Sequence, residues 1–318
     1  MTRLTALLAV ALPAAFVCAT NAARPSEMEI AEKLAAKCGY AQIGHDGEGH
    51  VTGLQFVNRK AYVEQAEWLG EEVKEVVNEG GKDLPQLADA DLSELFKLPH
   101  LRFLKLDNMM ITGAGYRSLK DLKQLEYLGL HGIDRKELGD AVDPTCILVA
   151  NELPNLRRFD YKHNFRMREV PVEKLRGNDR LEYLHLDNAC CESSIMPFIL
   201  GCPNLTRLEL HRTGLTAHDL ARIVNTNGKL TDIRIRPRDD RGLQPEDLAL
   251  LKQLPALATL CFGGHYNQMD FDHENDLAHL REIGTMKTIV APVKKKDDPV
   301  FATWVSTMEG VEIRFGYY

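Results

Sequence analysis

Leu181, Leu184 and Leu186 are followed 24 residues later by Leu205, Leu208 and Leu210, so one unit is written nearly twice between Leu181 and Leu220. Each triplet spells L-x-x-L-x-L and leads into a second apolar stretch and a short helical pattern. A fixed period in the twenties constrains the chain more than its composition does. One such unit cannot bury its own leucines, and only stacked neighbours give them a shared core, so the pattern calls for a solenoid rather than a globule. The triplets recur at Leu101/Leu104/Leu106, Leu125/Leu128/Leu130, Leu156/Phe159/Tyr161, Leu230/Ile233/Ile235 and Leu257/Leu260/Phe262. Met286/Ile289/Ala291 is a weaker unit, and Val311, Ile313 and Phe315 predict a last strand. Val51, Leu54 and Phe56 read as the first repeat strand, with Val73 and Val76 as a second, less regular one.

Each unit carries its own local chemistry. In L-x-x-L-x-L the leucines point into the core, while the residues flanking the last one point out of a short strand. Pro99, Pro154, Pro203 and Pro255 stand two residues before the first apolar position, where a fixed φ and a missing N–H stop the preceding helix. Thr112 and Thr216 are N-caps, the second with Asp219 as capping-box partner, and Pro245 takes a first helical position. Ahead of the array, Ser26 and Glu29 predict a capping box, and Gly39 is placed to close that helix. Asp46-Gly47 between two alternating apolar runs predicts a hairpin. A helix and hairpin there would cover the open end of the first coil.

These units resemble bacterial leucine-rich-repeat proteins that run L-x-x-L-x-L-x-x-T-x-[IL]-T-[DG]-x-x-L, often exported proteins of environmental bacteria such as planctomycetes. The resemblance spans roughly residues 26–318. It implies an α/β leucine-rich-repeat solenoid, with parallel strands on the concave face and short helices on the convex face, behind an N-terminal helix-hairpin cap. The expected division is a signal peptide at 1–22, the cap at 23–50, and the solenoid with a C-terminal capping strand at 51–318. The position that holds an Asn ladder in such proteins is Met109, Ile133, Asn164, Ala189, Thr213, Arg238 and His265; only Asn164 and Thr213 suit that role.

Leu4 to Val17 is an apolar run behind Arg3, too short to span a bilayer, with Thr20 and Ala22 framing a cleavage site. Val17 and Ala19 are a second option for cleavage; Phe16 and Val17 disfavour a lipid anchor on Cys18. The expectation is export, to the periplasm, the cell surface or the medium. Beyond Cys18 there are Cys38, Cys146, Cys190, Cys191, Cys202 and Cys261, without a C-x-x-C; most read as buried thiols, and Cys190 or Cys191 with Cys202 is the best bridge candidate. A net charge of -7 argues against general nucleic-acid binding. Nucleophile-elbow, P-loop, zincin and dinucleotide motifs are absent from the sequence. The reading is a non-enzymatic binding module without a cofactor, its ligand a protein or an anionic glycan on the concave face. A structural part of an envelope assembly is the alternative, and a metal-dependent enzyme a remote one.

Parallel stacking turns the strands into a grid of columns. One column runs Lys105, Gly129, Asp160, His185, Glu209, Arg234 and Cys261; two residues on, the next runs Asp107, His131, Lys162, Asp187, His211, Arg236 and Gly263. A flanking column carries Phe103, Tyr127, Arg158 and Tyr183. His185, Asp187, Glu209 and His211 should form a two-by-two square. Two imidazoles and two carboxylates can hold a divalent transition metal, and the competing reading is charge pairs that keep the face soluble. Arg207, Arg212, Arg234, Arg236 and Arg238 cluster on two strands and their exits, where guanidinium forks suit carboxylate, sulfate or phosphate, although Asp232, Asp239 and Asp240 can neutralise them. The candidate ligand-binding residues are therefore Tyr127, His131, Arg158, Tyr183, His185, Asp187, Arg207, Glu209, His211, Arg234 and Arg236. His45, Asp46, Glu48 and His50 are metal-capable types at the hairpin tip, though turn chemistry already explains Asp46-Gly47. Asp270, Asp272, Glu274 and Asp276 alternate like a calcium loop but lack its glycine and its terminal glutamate.

Overall fold

The computed structural model describes residues 25–57, 72–78, 86–132, 144–162, 170–187, 192–236, 243–262, 278–292 and 295–316. The first 22 residues, the calcium-like acidic run, Cys190, Cys191, Arg238, Asp239, Asp240, Gly263 and the ladder positions Ile133, Asn164, Ala189 and His265 lie outside them.

Helix α1 (Glu27–Ala35) opens on the expected box: Ser26 Oγ accepts from Glu29 N–H, and Glu29 accepts from Ser26 N–H. It ends at Ala36 rather than at Gly39. The reason is a side chain: Asn78 Nδ2 caps the carbonyls of Ala35 (2.9 Å) and Cys38 (2.6 Å), so no left-handed glycine is needed. Strands β1 (Tyr40–His45) and β2 (Val51–Val57) form the hairpin, whose turn is held by Asp46 Oδ1 accepting from the N–H groups of Glu48 and His50. Strand β3 (Glu72–Val77) is not the second repeat strand that Val73 and Val76 suggested. It runs antiparallel to β1 and covers the free edge of the hairpin, whereas the parallel series passes from β2 directly to the next coil.

That series comprises β4 (Phe103–Asp107), β5 (Tyr127–His131), β6 (Arg158–Lys162), β7 (Tyr183–Asp187), β8 (Arg207–His211), β9 (Asp232–Arg236), β10 (Thr259–Phe262), β11 (Thr288–Pro292) and β12 (Glu312–Gly316). Among the described residues the sheet has the order β12-β11-β10-β9-β8-β7-β6-β5-β4-β2-β1-β3. From β2 to β12 neighbouring strands are parallel and in register, each triplet against the next. The protein is a leucine-rich-repeat solenoid, an open parallel sheet whose coils return through short helices on the other side.

Much of that return is 3-10 rather than α: Pro144–Asn151, Val172–Lys174, Pro245–Gln253 and Ala278–Glu282 are 3-10 turns. A coil of this length has few residues with which to cross back, and the 3-10 helix covers more distance per residue. The α-helices α2 (Leu92–Leu95), α3 (Gly113–Ser118), α4 (Met196–Leu200), α5 (Ala217–Thr226) and α6 (Pro299–Ser306) are short too, and Thr112 and Thr216 cap α3 and α5 as expected. The leucines of the triplets are buried in one core that runs from α1 to α6.

Successive coils are also tied together away from the Asn-ladder position, which holds buried Met109 and Thr213 among the described residues. Three residues before the first apolar position of their units stand Asn178 and Asn227, both buried. Asn178 Nδ2 donates to Ala150 O (2.8 Å) and Leu153 O (2.9 Å), and Asn227 Nδ2 donates to Cys202 O (2.8 Å), each in the preceding coil. Between them in the same column sits Cys202, a free thiol that accepts from Asn178 N–H (3.3 Å) and faces Phe198 O (3.1 Å), so the anticipated bridge to Cys190 or Cys191 is not formed. Burial raises this thiol to about 12, which keeps it protonated. Cys38, Cys146 and Cys261 are likewise free and buried.

Candidate functional site

The columns expected on the concave face are in register: Lys105, Gly129, Asp160, His185, Glu209 and Arg234 align, as do Asp107, His131, Lys162, Asp187, His211 and Arg236. What these side chains do to one another follows from their sizes. In the flanking column Phe103 stacks on Tyr127 with ring centroids 4.2 Å apart, Arg158 lies 4.8 Å over Tyr127 and 4.3 Å over Tyr183, and Arg207 lies 4.6 Å over the other side of Tyr183. Five strands thus contribute to one continuous stack of rings and guanidinium planes, a favourable arrangement for both partners.

The stack leans over the central column and is bonded to it. Tyr127 Oη donates to Asp160 (2.8 Å) and Tyr183 Oη to Glu209 (2.6 Å), each one strand ahead. Arg158 adds two bonds to Asp160, and Arg207 adds two to Glu209. The same device therefore occurs twice, a tyrosine on one strand and Arg-x-acid on the next. As a result the face is not the solvated set of charge pairs that the alternation of signs suggests. Lys105 is 1% exposed, Asp160 0% and Glu209 4%. Burial works to raise both carboxyl groups, but the surrounding cations outweigh it; Asp160 is pushed below the usual carboxylate range and Glu209 is held at about 2.

Of the predicted square, three corners converge. His185 Nδ1 is 3.5 Å and His211 Nε2 3.8 Å from Glu209 Oε2, and His185 Nε2 is 3.3 Å from His211 Nδ1. Asp187 leaves the group, because its Oδ1 takes two bonds from Arg212 (3.1 and 2.9 Å). Arg212 reaches it from a left-handed backbone (φ 51°), at a strand exit that β5 gives to Gly132. Glu209 Oε1 is held by Tyr183, Arg207 and Arg234, which leaves Oε2 for the imidazoles.

The ligand geometry for a metal is present, but the potential opposes one. Desolvation lowers His185 to about 4, helped by Lys162, and lowers His211 to about 3, helped by His185 and Arg236. Burial first, and Lys162 and Arg236 after it, keep the rings neutral, and these two cations repel a divalent ion in the same place. His131, on β5, is also held well below its ordinary value, by burial and then by Lys162 and Lys105. Around β7 to β9, four arginines (207, 212, 234 and 236) face three carboxylates (Asp187, Glu209 and Asp232), in a chain whose net charge is -7. This end of the face is also the more open one, with the Arg212 side chain 48% and the Arg207 side chain 34% exposed. Its chemistry suits anionic groups.

The sequence reading misses two things here. The Tyr-to-acid bonds were signalled by the spacing of Tyr127, Asp160, Tyr183 and Glu209, but a column assigns a position and not a direction in which a ring leans. A second histidine cluster, Glu27 with His50 and His100, had no signal of spacing at all. No helix among the described residues is long and apolar enough to cross a membrane.

No family model and no curated protein matches the chain. Among solved structures it is similar to an internalin (InlF) of Listeria monocytogenes, at 13% identity over 84% of this chain and 82% of that one, with a TM-score of 0.40. It is also similar to TLR13 in a complex with ssRNA13, at 16% identity over 69% of this chain and 37% of that one, with a TM-score of 0.43. No site residue and no ligand carries over from likenesses of this degree.

Proposed function

We propose that this chain is an exported, non-enzymatic interaction module that takes acidic side chains of a protein ligand on the β7–β9 part of its concave face. The observation that carries the reading is the guanidinium–aromatic stack ending at Arg207, whose side chains are already held by one another without a ligand and which is cationic at its open end. Pre-ordered tyrosine and arginine side chains are the residues that dominate binding interfaces, because little freedom remains to be lost. Arg212 supports it, since a non-glycine residue in a left-handed conformation costs about 1 kcal/mol and tends to persist where function needs it. Export rests on the pattern in residues 1–22.

The test uses immobilised poly-glutamate and immobilised heparin at low salt, with wild type and Arg207→Ala/Arg212→Ala. Loss of poly-glutamate retention in the variant, with an unchanged circular dichroism spectrum, supports the protein reading. Loss on heparin alone assigns the same cations to an anionic glycan. Retention of wild type and variant alike on both would sink the assignment. A second reading, assembly through sheet edges, has its own observation: β3 and β12 each have a single strand neighbour among the described residues, with Val77 68% and Phe315 36% exposed. Sedimentation of Phe315→Asp beside wild type separates the two, because only edge assembly predicts loss of self-association.

A further inference from the structure

Away from the concave face, three residues distant in sequence meet where the cap joins the first coil. Glu27 lies in the first turn of α1, His50 ends the β1–β2 turn, and His100 follows Pro99 in the turn before β4. One oxygen of Glu27 and one nitrogen of each ring lie within 4.8 Å of one another. The rings face each other with centroids 3.9 Å apart at 33°.

Each donor is already oriented by a partner. Glu27 Oε2 accepts from Val51 N–H (2.9 Å), which leaves Oε1 facing His100 Nδ1 at 2.9 Å. His50 Nδ1 faces Asp46 Oδ2 at 3.1 Å, while the other oxygen of Asp46 holds the N–H groups of Glu48 and His50. Asp46 on Nδ1 of His50 fixes that ring and its tautomer and leaves its Nε2 lone pair for a cation. His100 offers the Nδ1 that faces Glu27 Oε1, so that a cation between them would replace their direct contact. The place of His100 in the repeat explains why it is available. Asn155 and Asn204 occupy the same position in later units and donate to a carbonyl of the preceding coil, Lys123 O and Asp179 O. Ahead of the first coil stands the cap, and His100 reaches α1.

Charge separates this cluster from the one at His185 and His211. The concave cluster faces the carboxylates of Asp160 and Asp187 besides its own Glu209, but Lys162, Arg207, Arg234 and Arg236 outnumber them. At the cap the neighbours of the rings are Glu27, Asp46 and Glu48, and the nearby Arg102 is drawn toward Glu126 (3.9 Å). Beside the rings an open hollow of roughly 430 Å³, lined by Asp46, Thr52, Pro99, His100, Arg102 and Gln124, leaves room for water ligands.

We infer that Glu27, His50 and His100 form a binding site for a divalent transition metal of the zinc class, with Asp46 orienting His50. Two imidazoles, one carboxylate and an open position are a donor set that such ions accept, at bond lengths of about 2.0–2.2 Å. The metal ties α1, the hairpin and the first coil together, so it binds the folded chain and stabilises it.

The experiment strips the full chain with EDTA and titrates it with zinc chloride, reading calorimetric stoichiometry, metal content after dialysis, and Tm. The expected result is one equivalent of zinc and a raised Tm for wild type, both lost in His50→Ala and in His100→Ala. Asp46→Asn keeps the turn acceptor and is expected to weaken binding by about 10–100-fold. Both rings are partly exposed, so the alanine variants are expected to fold, and circular dichroism checks it. The inference is overturned by a wild type that takes up no zinc. It is equally overturned by uptake that survives both cap variants, or by uptake that disappears instead in His185→Ala/His211→Ala.

Discussion

Gly201 offers a test of how tightly successive coils are stacked. It ends α4, and a Cβ built on it would lie 1.8 Å from Arg176 O and 3.0 Å from Gly177 N. Gly177 mirrors the contact from the other coil: its φ is +74°, and its Cβ would lie 2.4 Å from the Gly201 carbonyl carbon. Here two backbones touch where side chains would otherwise separate them. Carbon contacts under 3.0 Å do not occur, so Gly201→Ala forces the coils apart by more than about 1 Å at this point. That displacement stretches the Asn178 N–H bond to Cys202 and loosens the packing of Phe198 and Ile199 beside it. Overpacking a flexible site costs about 1–3 kcal/mol, and here the obstructing atoms are backbone, so at least about 3 kcal/mol is expected. Gly228, one coil further on, is the control. A Cβ there meets nothing within 4 Å, and Gly228→Ala should be neutral or stabilise by up to about 1 kcal/mol, through the unfolded chain. Urea unfolding followed by circular dichroism measures both, with slopes compared because repeat arrays can unfold in parts. A Gly201→Ala variant within about 0.5 kcal/mol of wild type would refute the backbone contact.

Acid should weaken the fold before any carboxylate is involved. His185 and His211 titrate near 4 and near 3 in the folded chain, chiefly through burial, and near 6.5 when unfolded. Between those values the unfolded state binds protons that the folded state refuses. Stability is therefore full above pH 6.5 and falls as pH falls, by about 1.4 kcal/mol per pH unit for each ring. Glu209, held at about 2, stays ionised through that window and does not offset the loss. A Tm that is flat from pH 7.5 to 4.5, or equally pH-dependent in His185→Gln/His211→Gln, contradicts this. Asn178→Ala should lose about 1–3 kcal/mol in urea, since the buried carbonyls of Ala150 and Leu153 lose their donor. Tyr183→Phe removes a 2.6 Å bond to an ionised carboxylate and should lose about 1.5–3 kcal/mol, whereas a substitution without effect would make the Tyr183–Glu209 contact incidental.

Particular residues show where the sequence suffices. Leu184 faces Leu208, and His185 faces Glu209, because a parallel stack with a fixed period leaves the register no freedom. The caps at Ser26, Thr112 and Thr216 are equally local, each a side chain and an N–H three residues on. Asn178 and Asn227 were visible as polar residues in a column that elsewhere holds Leu98, Leu122, Leu153, Cys202, Leu254 and Ile283, and a comparison of units would have found them. Strand direction was not local: Val73 and Val76 have the composition of a repeat strand, and only the free edge of β1 decides that they run antiparallel.

The sequence by itself therefore determined the solenoid, its strand positions and the columns of its concave face, since these follow from periodicity and short-range capping. Tertiary structure alone decided which side chain lies across which. It turned Asp187 away to Arg212, buried Asp160 and Glu209 beneath tyrosine and arginine, and made His185 and His211 neutral in a cationic setting. It also brought Glu27, His50 and His100 together across 73 residues of sequence. Direction, burial and local potential come from neighbours on other coils, and no pattern within one coil contains them.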